Sequence, residues 1–272
     1  MSFPVKPSMW CPGIRSGHPL AQGLEAFYPL WEGSGDRVMD LSSGAVLDTW
    51  SGAVWTPQPS GTAIEFDQGG PDYIQGTMPA WWSSFSTGTV VLMFTPYLRT
   101  AQAIFWLGDK DTPSQYLYIG QAWADDLYYE LRGAGGYELS RKTAGNEAVF
   151  NTPMQVALVQ DGVQDAFYVN SKLTATADVQ PSTDRTAWFD DITAPDSISF
   201  GMMRDSSPAF PWSGALSLAA IYSRALSAGE IEWLYREPWD MITHPTKTYF
   251  FLTAAPAGNR RRRVLICGRR RA

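Results

Sequence analysis

The chain has 272 residues, 44% of them hydrophobic, and a net charge of −6, a composition that allows a large buried core. The sequence contains no run of 18 apolar residues and no charged-then-apolar leader, so neither a membrane span nor a cleaved secretion signal is expected. Only two cysteines occur, Cys11 and Cys267, which excludes a disulfide framework. We expect two free thiols, since a single bridge would require that the termini meet.

The first third of the sequence predicts an arm followed by short strands. Residues 1–23 contain four prolines and no apolar period, which predicts an extended arm, with Phe3 and Trp10 as its anchors, lying on its own body or on another surface. The 24 glycines and 19 prolines of the chain separate short apolar runs, as is typical of all-β proteins. Strands are predicted over residues 25–31, near Val54, and over 62–66 and 72–75.

The middle of the chain predicts a regular antiparallel arrangement. Residues 89–95, TVVLMFT, are continuously apolar and predict a central strand. Residues 154–159 and 166–169 flank a turn and predict a hairpin. Asn170 is then expected to adopt the left-handed turn conformation alone. Between these segments, the strands of a meander are predicted at 103–107, 116–120, 127–132 and 137–141.

The most informative segment is residues 214–239, GALSLAAIYSRALSAGEIEWLYREPW. Its first part is nearly all apolar, which indicates a strand covered on both faces inside a sandwich. Ser227 and Glu230 match a capping box, and Leu226 and Ile231 match a hydrophobic staple. A short helix is therefore predicted to begin here and to end before Pro238, and it must pack on the sandwich because so short a helix is not stable alone.

The strand, the sequence YSRALS and the capped helix resemble the C-terminal end of laminin G-like, concanavalin A-like jelly-roll domains. Residues 23–44, GLEAFYPLWEGSGDRVMDLSSG, resemble the opening of that family, and residues 67–74, DQGGPDYI, resemble its next landmark. The resemblance covers residues 24–236. It implies an all-β fold: a concanavalin A-like jelly-roll β-sandwich of two antiparallel sheets, one short C-terminal helix and extended arms. The expected organisation is an N-terminal arm (1–23), a laminin G-like domain (24–237) and a C-terminal arm (238–272).

Catalysis is not predicted. Glucanases of this fold that retain configuration need two carboxylates about 5 Å apart, and the expected triplet Glu-x-Asp-x-x-Glu is absent. Glu130 is the nearest candidate, but Tyr128 and Arg132, on the same face of its strand, supply no second carboxylate. The only histidines, His18 and His244, each precede a proline outside the sandwich and form no metal pair or triad. A glycan hydrolase with unusual carboxylates is the least favoured alternative.

No cofactor is required by this fold, and calcium is the one ion for which the loops offer ligands. The family's usual acidic pair in the last strand is replaced here by Ser217 and Leu218, which removes ligands. We prefer the alternative that Asp36 and Asp40 cap turns by bonding their own backbone. The candidate calcium ligands are Asp36, Asp40, Asp67 and Asp72.

Several tryptophans stand beside polar residues in predicted loops and form a candidate ligand site. An indole can cover the apolar face of a sugar while a neighbouring carboxylate accepts its hydroxyl protons. The same aromatic residues also suit a contact between subunits, which is the interpretation that we prefer from the sequence. The candidate residues are Trp81, Trp82, Trp123, Asp125, Asp126, Trp188, Asp190, Asp191 and Trp212.

The C-terminal arm carries seven arginines within its last 13 residues, whereas residues 1–259 carry a net charge of −13. The tail of one molecule is thus electrostatically suited to the body of the next, and its apolar part can add to a neighbour's sheet edge. The alternatives are nucleic acid as the partner and a solvated, disordered tail. The predicted assembly tail consists of Arg260, Arg261, Arg262, Arg263, Val264, Leu265, Ile266, Arg269, Arg270 and Arg271.

These features predict a non-catalytic virion structural protein, either a capsid decoration or cement protein or a fibre-type protein, held in place by its arms. The arm-body-arm plan and the motif REPW at 236–239 resemble proteins of tailed bacteriophages.

The expected partners are capsid or other virion proteins and sister subunits of a homo-oligomer, with host-surface glycans as further ligands. Nucleic acid is a less favoured partner, and no membrane insertion is expected. The expected location is a virion surface, assembled in the host cytoplasm. The alternative function is a carbohydrate-binding adhesin module.

Overall fold

The computed structural model describes residues 3–7, 12–99, 101–122, 125–182, 184–206 and 208–243. Within these ranges the chain forms two antiparallel sheets of eight strands each, two small ribbons and one α-helix, which confirms the predicted all-β sandwich. No helix in these ranges is both long and apolar enough to cross a membrane. The strands are β1 (Gly13–Ile14), β2 (Leu24–Tyr28), β3 (Val38–Met39), β4 (Val46–Leu47), β5 (Thr49–Ser51), β6 (Val54–Gln58), β7 (Gly61–Phe66), β8 (Tyr73–Thr77), β9 (Gly88–Pro96), β10 (Gln102–Gly108), β11 (Tyr116–Gln121), β12 (Leu127–Gly133), β13 (Gly136–Thr143), β14 (Met154–Gln160), β15 (Asp165–Val169), β16 (Lys172–Thr174), β17 (Thr176–Asp178), β18 (Ser197–Phe200), β19 (Gly214–Tyr222) and β20 (Ile242–Thr243). The helix α1 spans Ala228–Arg236, and short 3-10 helices span Pro19–Ala21, Ala80–Ser84 and Phe189–Asp191.

The two large sheets pack face to face. The front sheet has the strand order β17, β13, β12, β11, β10, β18, β8, β5, and the back sheet has the order β16, β15, β14, β9, β19, β7, β6, with β2 also paired to β19. The predicted meander is confirmed, because β10 to β13 are consecutive antiparallel neighbours. The predicted hairpin is β14 with β15. The apolar strand β9 lies in the middle of the back sheet with all of its residues buried, as predicted.

The turn between β15 and β16 differs from the sequence prediction. Asn170 has φ of 49° and Ser171 has φ of 65°, so both residues are left-handed and Asn170 does not carry the turn alone. Two left-handed residues give the type I′ geometry, whose twist matches that of a two-residue hairpin. The Asn170 side chain also accepts the Gln155 amide at 2.9 Å, which joins the turn to β14.

Side chains from the inner faces of both sheets fill the space between them. On β12, Tyr129 and Leu131 are fully buried in this core, and the Tyr129 ring stacks on Phe167 of the back sheet with centroids 5.1 Å apart. Because successive strand residues point to opposite faces, the neighbours of Tyr129 and Leu131 in the sequence lie on the outer face of the front sheet. That outer face is where the functional groups described below are gathered.

The outer face of the back sheet is covered by α1 and by residues from both ends of the described chain. All residues of β19 are buried between β9 on one side and β7 and β2 on the other, which confirms the predicted strand covered on both faces. Ile231 and Leu234 of α1 are fully buried on it, and Phe3 and Met241 join the same apolar cluster. Phe3 therefore holds the start of the chain on its own body, one of the two predicted alternatives. Trp10 lies outside the described residues.

The capping box at the start of α1 is formed as predicted. The Ser227 hydroxyl accepts the Glu230 amide at 3.3 Å, and the Glu230 carboxylate accepts the Ser227 amide at 2.9 Å. Arg224 bonds the same carboxylate at 2.6 Å and, with help from Ser227, lowers the pKa of Glu230 to about 2. Glu230 thus remains ionised over the whole physiological range and keeps the box closed.

We expect Ser227→Ala to lower the free energy of unfolding by about 1 kcal/mol, because the Glu230 amide loses its acceptor at the helix start. Urea unfolding followed by circular dichroism measures this change. Ser83→Ala is the matched control, since the Ser83 hydroxyl is exposed and donates to a carbonyl without capping a strand or an α-helix. Equal unfolding midpoints for Ser227→Ala and the parent protein would show that the cap does not stabilise the domain.

Candidate functional site

The outer face of the front sheet carries a set of polar and aromatic side chains from neighbouring strands. On β12, Tyr128, Glu130 and Arg132 point outward, so the predicted sharing of one face by these three residues is confirmed. The register of β11 places Tyr118 opposite Glu130 and Tyr116 opposite Arg132. We call these five residues the front-face cluster. It lies over a packed core, which fixes the strands that carry it.

Glu130 is the centre of the front-face cluster. Only 8% of its side chain is exposed. Its carboxylate accepts hydrogen bonds from Tyr116 at 2.8 Å, from Ser140 at 3.4 Å and from the Tyr128 hydroxyl. Burial of a carboxylate is tolerated only when its oxygens are bonded, and here three hydroxyl groups do this. Glu130 therefore fixes the orientation of the surrounding hydroxyl groups.

The tyrosines around Glu130 act as hydrogen-bond donors. Burial raises the pKa of Tyr116 and of Tyr128, and the neighbouring Glu130 carboxylate raises both further. A phenolate beside a buried carboxylate would place two like charges together, so the protonated form is favoured. Both hydroxyls consequently stay protonated at neutral pH and keep the carboxylate in place.

Arg132 places a fixed positive charge at the edge of the cluster. Its guanidinium carbon lies 3.9 Å from the centroid of the Tyr137 ring, and Nη1 donates to the Ser114 hydroxyl at 2.9 Å. Nε lies 3.5 Å from Glu130, and 23% of the side chain is exposed. A planar guanidinium held by stacking and by one hydrogen bond can bind a carboxylate with two parallel bonds. Arg132 is therefore suited to an anionic group that arrives from solvent.

A loop between β18 and β19 lies over the middle of the front sheet. Met203 and Ala209 form a bridge in this loop and cover Trp106, which is fully buried beneath them. Phe210 follows with a left-handed φ of 56° and stacks on Tyr118, with ring centroids 6.4 Å apart and an interplanar angle of 15°. Because 42% of Phe210 is exposed, its ring forms an apolar wall beside the front-face cluster.

Two of the predicted ligand residues lie at the border of this face. β13 places Lys142 opposite Tyr128, and its ammonium contacts Asp126 at 2.6 Å. Asp125 has a left-handed φ of 64° and pairs with Arg99 at 3.1 Å. Asp126 therefore adjoins the cluster through Lys142, whereas the Asp125 carboxylate is directed at a different partner. Trp123 lies outside the residues that the structure describes.

Three of the tryptophans predicted to form a sugar site or a subunit contact are core residues, and both interpretations are wrong for them. At most 1% of Trp82, Trp188 and Trp212 is exposed, and all three belong to the core between the sheets. Trp188 stacks on Phe189 with centroids 4.8 Å apart. An indole enclosed in this way presents no face to a sugar. These tryptophans stabilise the sandwich on which the candidate site is built.

The remaining predicted ligand residues are exposed, and their side chains have contacts outside the front-face cluster. Trp81 is 58% exposed and its indole N–H contacts Glu25 at 3.4 Å. Asp190 and Asp191 lie in the 3-10 helix Phe189–Asp191, where the Asp191 carboxylate accepts the Trp188 amide at 3.0 Å. Asp191 is thus a cap of this helix, and its neighbouring tryptophan is turned into the core.

The four candidate calcium ligands lie in three loops, and three of them accept backbone amides. Asp40 is buried and accepts the amides of Phe27 and Ser42, each at 2.8 Å. Asp72 accepts the Asp67 amide at 2.9 Å, and Asp67 accepts the Gly69 amide at 3.0 Å. Asp36 is exposed in a turn. Asp40 therefore has the turn-capping contacts that we preferred from the sequence, and Asp67 and Asp72 bond the backbone of their own loop in a similar way.

A different group of carboxylates comes together elsewhere in the described chain. Oxygens of Asp109, Asp111 and Asp196 lie within 4.8 Å of one another. The Lys110 ammonium lies between them, 2.6 Å from Asp196 and 2.9 Å from Asp111. Lys110 therefore compensates one of the three negative charges, and the group keeps a net negative charge.

The comparisons with known proteins concern the fold. No family model matches the sequence, and no curated protein matches it. Among solved structures, the chain is similar to the CBM40 of Ruminococcus gnavus IT-sialidase bound to alpha2,3 sialyllactose, with 19% identity, a TM-score of 0.51, and coverage of 69% of this chain and 98% of that chain. It is also similar to a Trypanosoma rangeli sialidase in complex with sialic acid, with 15% identity, a TM-score of 0.58, and coverage of 80% and 33%. A third similar structure is the binding domain of botulinum neurotoxin DC in complex with rat synaptotagmin II, with 13% identity, a TM-score of 0.55, and coverage of 78% and 51%.

These likenesses show the fold to be a concanavalin A-like β-sandwich, the fold that the sequence resemblance predicted. At identities this low, structural similarity shows the arrangement of strands. The binding properties of this chain depend on its own side chains. None of the three is described as a virion protein, so they give no support to the predicted link with bacteriophage proteins.

Proposed function

We propose that this protein is a non-catalytic carbohydrate-binding module that binds sialylated glycans through the outer face of its front sheet. The observation that carries the proposal is the front-face cluster together with the Phe210 wall beside it: a fixed guanidinium, a bonded carboxylate and an exposed aromatic ring share one surface. The similar CBM40 structure holds a sialylated trisaccharide, which supports the same ligand class here. This proposal favours the alternative that the sequence offered over the virion structural role.

Each part of the surface has a chemical counterpart in a sialylated glycan. The Arg132 guanidinium binds the sugar carboxylate, since arginine is suited to planar, two-point recognition of this group. The Phe210 ring, stacked on Tyr118, covers an apolar face of the sugar. Lys142, whose side chain is 43% exposed, donates to hydroxyl oxygens. A small number of fixed polar groups beside an apolar wall is the usual composition of a ligand site.

The absence of catalysis is part of the proposal. Hydrolysis by the common glycosidase mechanism requires a pair of carboxylates flanking the bond that is cleaved. The groups bonded to Glu130 are the hydroxyls of Tyr116, Tyr128 and Ser140, with Arg132 alongside, and no carboxylate is among them. Glu130 accordingly serves as a positioning group for its neighbours.

We further propose that binding requires no calcium. Asp40 and Asp72 already accept backbone amides, and Asp111 and Asp196 both pair with Lys110. A calcium ion needs six to eight oxygen ligands, which these carboxylates would have to supply by giving up their present partners.

Arg132→Gln is expected to weaken binding of 3′-sialyllactose by about 10-fold to 100-fold, because the hydrogen bonds to the charged carboxylate are lost. Isothermal titration calorimetry, performed with calcium and again with a chelator, measures this change. Lys172→Gln is the matched control, since Lys172 is an exposed cation on β16 of the back sheet. Lactose without the sialic acid is the control ligand, and its affinity should be the same for all three proteins.

An Arg132→Gln variant that melts like the parent protein and binds sialyllactose equally well would refute the proposed site. Release of sialic acid during the titration would refute the non-catalytic part. Binding that disappears with the chelator and returns with calcium would refute the calcium part.

The virion location and the docking of the arginine tail onto capsid proteins or sister subunits stay predictions. The tail residues 260–271 lie outside the described residues, as do Cys11, His244 and Cys267. The charge difference between the tail and residues 1–259 is the observation that supports docking onto acidic protein.

A further inference from the structure

A second arginine, Arg204, belongs to the same loop between β18 and β19 as Phe210 and contacts β8 on the outer face of the front sheet. The guanidinium carbon of Arg204 is 4.1 Å from the centroid of the Tyr73 ring, and its Nε donates to Gln75 at 3.4 Å. This arrangement repeats the stacking of Arg132 on Tyr137 at 3.9 Å. The two sites differ in charge, because Arg132 pairs with Glu130, whereas Arg204 has no carboxylate partner among the described residues.

A polar groove adjoins Arg204. Its volume is about 370 Å³, and it lies over β5, β8 and β18, with Gln75 in its lining beside Asp48, Thr49 and Ser197. Asp196 also lines the groove, where it pairs with Lys110. The groove therefore has the Arg204 guanidinium near Gln75 and hydroxyl groups along its length. Its other carboxylate, Asp48, has no cation partner among the described residues. A sugar acid matches this pattern, since its carboxylate suits Arg204 and its hydroxyls can donate to Asp48.

The strand register gives the separation of the two arginine sites. Glu130 of β12 and Gln75 of β8 belong to one row of directly opposed residues that crosses five adjacent strands, through Tyr118, Trp106 and Ser199. With neighbouring strands about 4.8 Å apart, the two ends of the row are about 19 Å apart along the sheet. The loop that buries Trp106 separates them. One sugar cannot contact both arginines, but an oligosaccharide that passes Phe210 can.

We infer that the Arg204 groove is a second subsite for an acidic sugar, and that the preferred ligand is an oligosaccharide with two or more carboxylates along its chain. This inference rests on the proposed function, because it extends the glycan that binds at Arg132. Two weak sites joined by one ligand gain affinity, since the second contact forms at a high effective concentration.

The test compares 3′-sialyllactose with a tetramer of α2,8-linked sialic acid as ligands of the full-length protein. We expect the parent protein to bind the tetramer at least about tenfold more tightly than sialyllactose. Arg204→Gln should remove this gain and leave the affinity for sialyllactose within about twofold of the parent value, because the Arg132 site is intact. Lys172→Gln is again the control for a lost surface charge. Thermal melts establish that every variant is folded.

The Nε–Hε resonances of Arg132 and Arg204 in ¹⁵N-labelled protein report the two sites separately. Both should shift during titration with the tetramer. In the Arg132→Gln variant, a shift of the Arg204 resonance supports the second subsite even if the Arg132 site binds nothing and the proposed function fails. An Arg204 resonance that no ligand moves would overturn the inference. So would an Arg204→Gln variant with parental affinity for the tetramer, or one that loses sialyllactose and the tetramer in parallel, since the latter result would define a single site.

Discussion

Trp212→Ala is expected to lower the free energy of unfolding by about 3 to 5 kcal/mol, because truncation of a buried aromatic side chain removes apolar contacts and leaves a cavity. Trp212 is fully buried and its ring lies 5.6 Å from Phe66 and 5.8 Å from Phe94, centroid to centroid. Its indole N–H donates to Gln121 at 3.0 Å, so the substitution also leaves a buried acceptor without its donor. Urea unfolding followed by circular dichroism measures the change.

Trp81→Ala is the matched control for Trp212→Ala. Trp81 is 58% exposed, so we expect its removal to change the free energy of unfolding by no more than about 0.5 kcal/mol. A Trp212→Ala variant that unfolds like the parent protein but fails to bind glycan would contradict this assignment. That outcome would restore Trp212 to the ligand site in which the sequence placed it.

The tryptophan prediction was wrong because sequence proximity to an acidic residue has two physical causes. A carboxylate beside an indole can serve a sugar, but it can equally cap the turn that directs the indole into the core. At Trp188 the second cause applies, since Asp191 accepts the Trp188 amide at 3.0 Å while the ring packs on Phe189. Whether an indole faces solvent or the core depends on how the opposite sheet packs against it. The residues of that sheet are distant in the sequence, so the neighbouring residues do not reveal the outcome.

The features that the sequence predicted well are those with local causes. The start of α1 follows from a hydroxyl and a carboxylate three residues apart, and both hydrogen bonds of the box are present at Ser227 and Glu230. The burial of β9 and β19 follows from unbroken apolar runs, which a strand with a wet face would not have. Such signals depend on neighbours in the chain and need no knowledge of the strand order.

The front-face cluster was only partly predictable. The alternation at Tyr128, Glu130 and Arg132 is visible in the sequence and indicates one shared face. The contribution of Tyr116 depends on the register between β11 and β12, and that of Phe210 depends on a loop 78 residues after Arg132 that folds back over the sheet. A meander strand with three long polar or aromatic residues on its outer face is the signal that would have pointed to this surface.

The two sheets are also joined by a buried charged network, which involves the inner face of the strands whose outer face carries the front-face cluster. Asp165 lies on β15 of the back sheet, and only 1% of its side chain is exposed. Its carboxylate accepts the hydroxyl of Tyr129, which comes from β12 of the front sheet, and it pairs with Arg185. Arg141 of β13 lies 3.5 Å away, with 9% of its side chain exposed. The Asp165 carboxylate thus pairs with two guanidinium groups and accepts a hydrogen bond from a residue of the opposite sheet.

Asp165→Ala is expected to lower the free energy of unfolding by about 3 to 5 kcal/mol, because it leaves the buried Arg141 charge without its enclosed partner. Asp178→Ala is the matched control. Asp178 also pairs with Arg141, at 3.4 Å, but 52% of its side chain is exposed, so its loss should cost less than about 1 kcal/mol. Urea unfolding of both variants and of the double variant measures the difference.

Similar small losses for the two aspartates would show that solvent reaches Asp165 and that the network does not hold the sheets together. A large loss confined to Asp165, with Asp165→Asn intermediate because the amide keeps the hydrogen bond from Tyr129 and loses the charge, is the result that the geometry predicts.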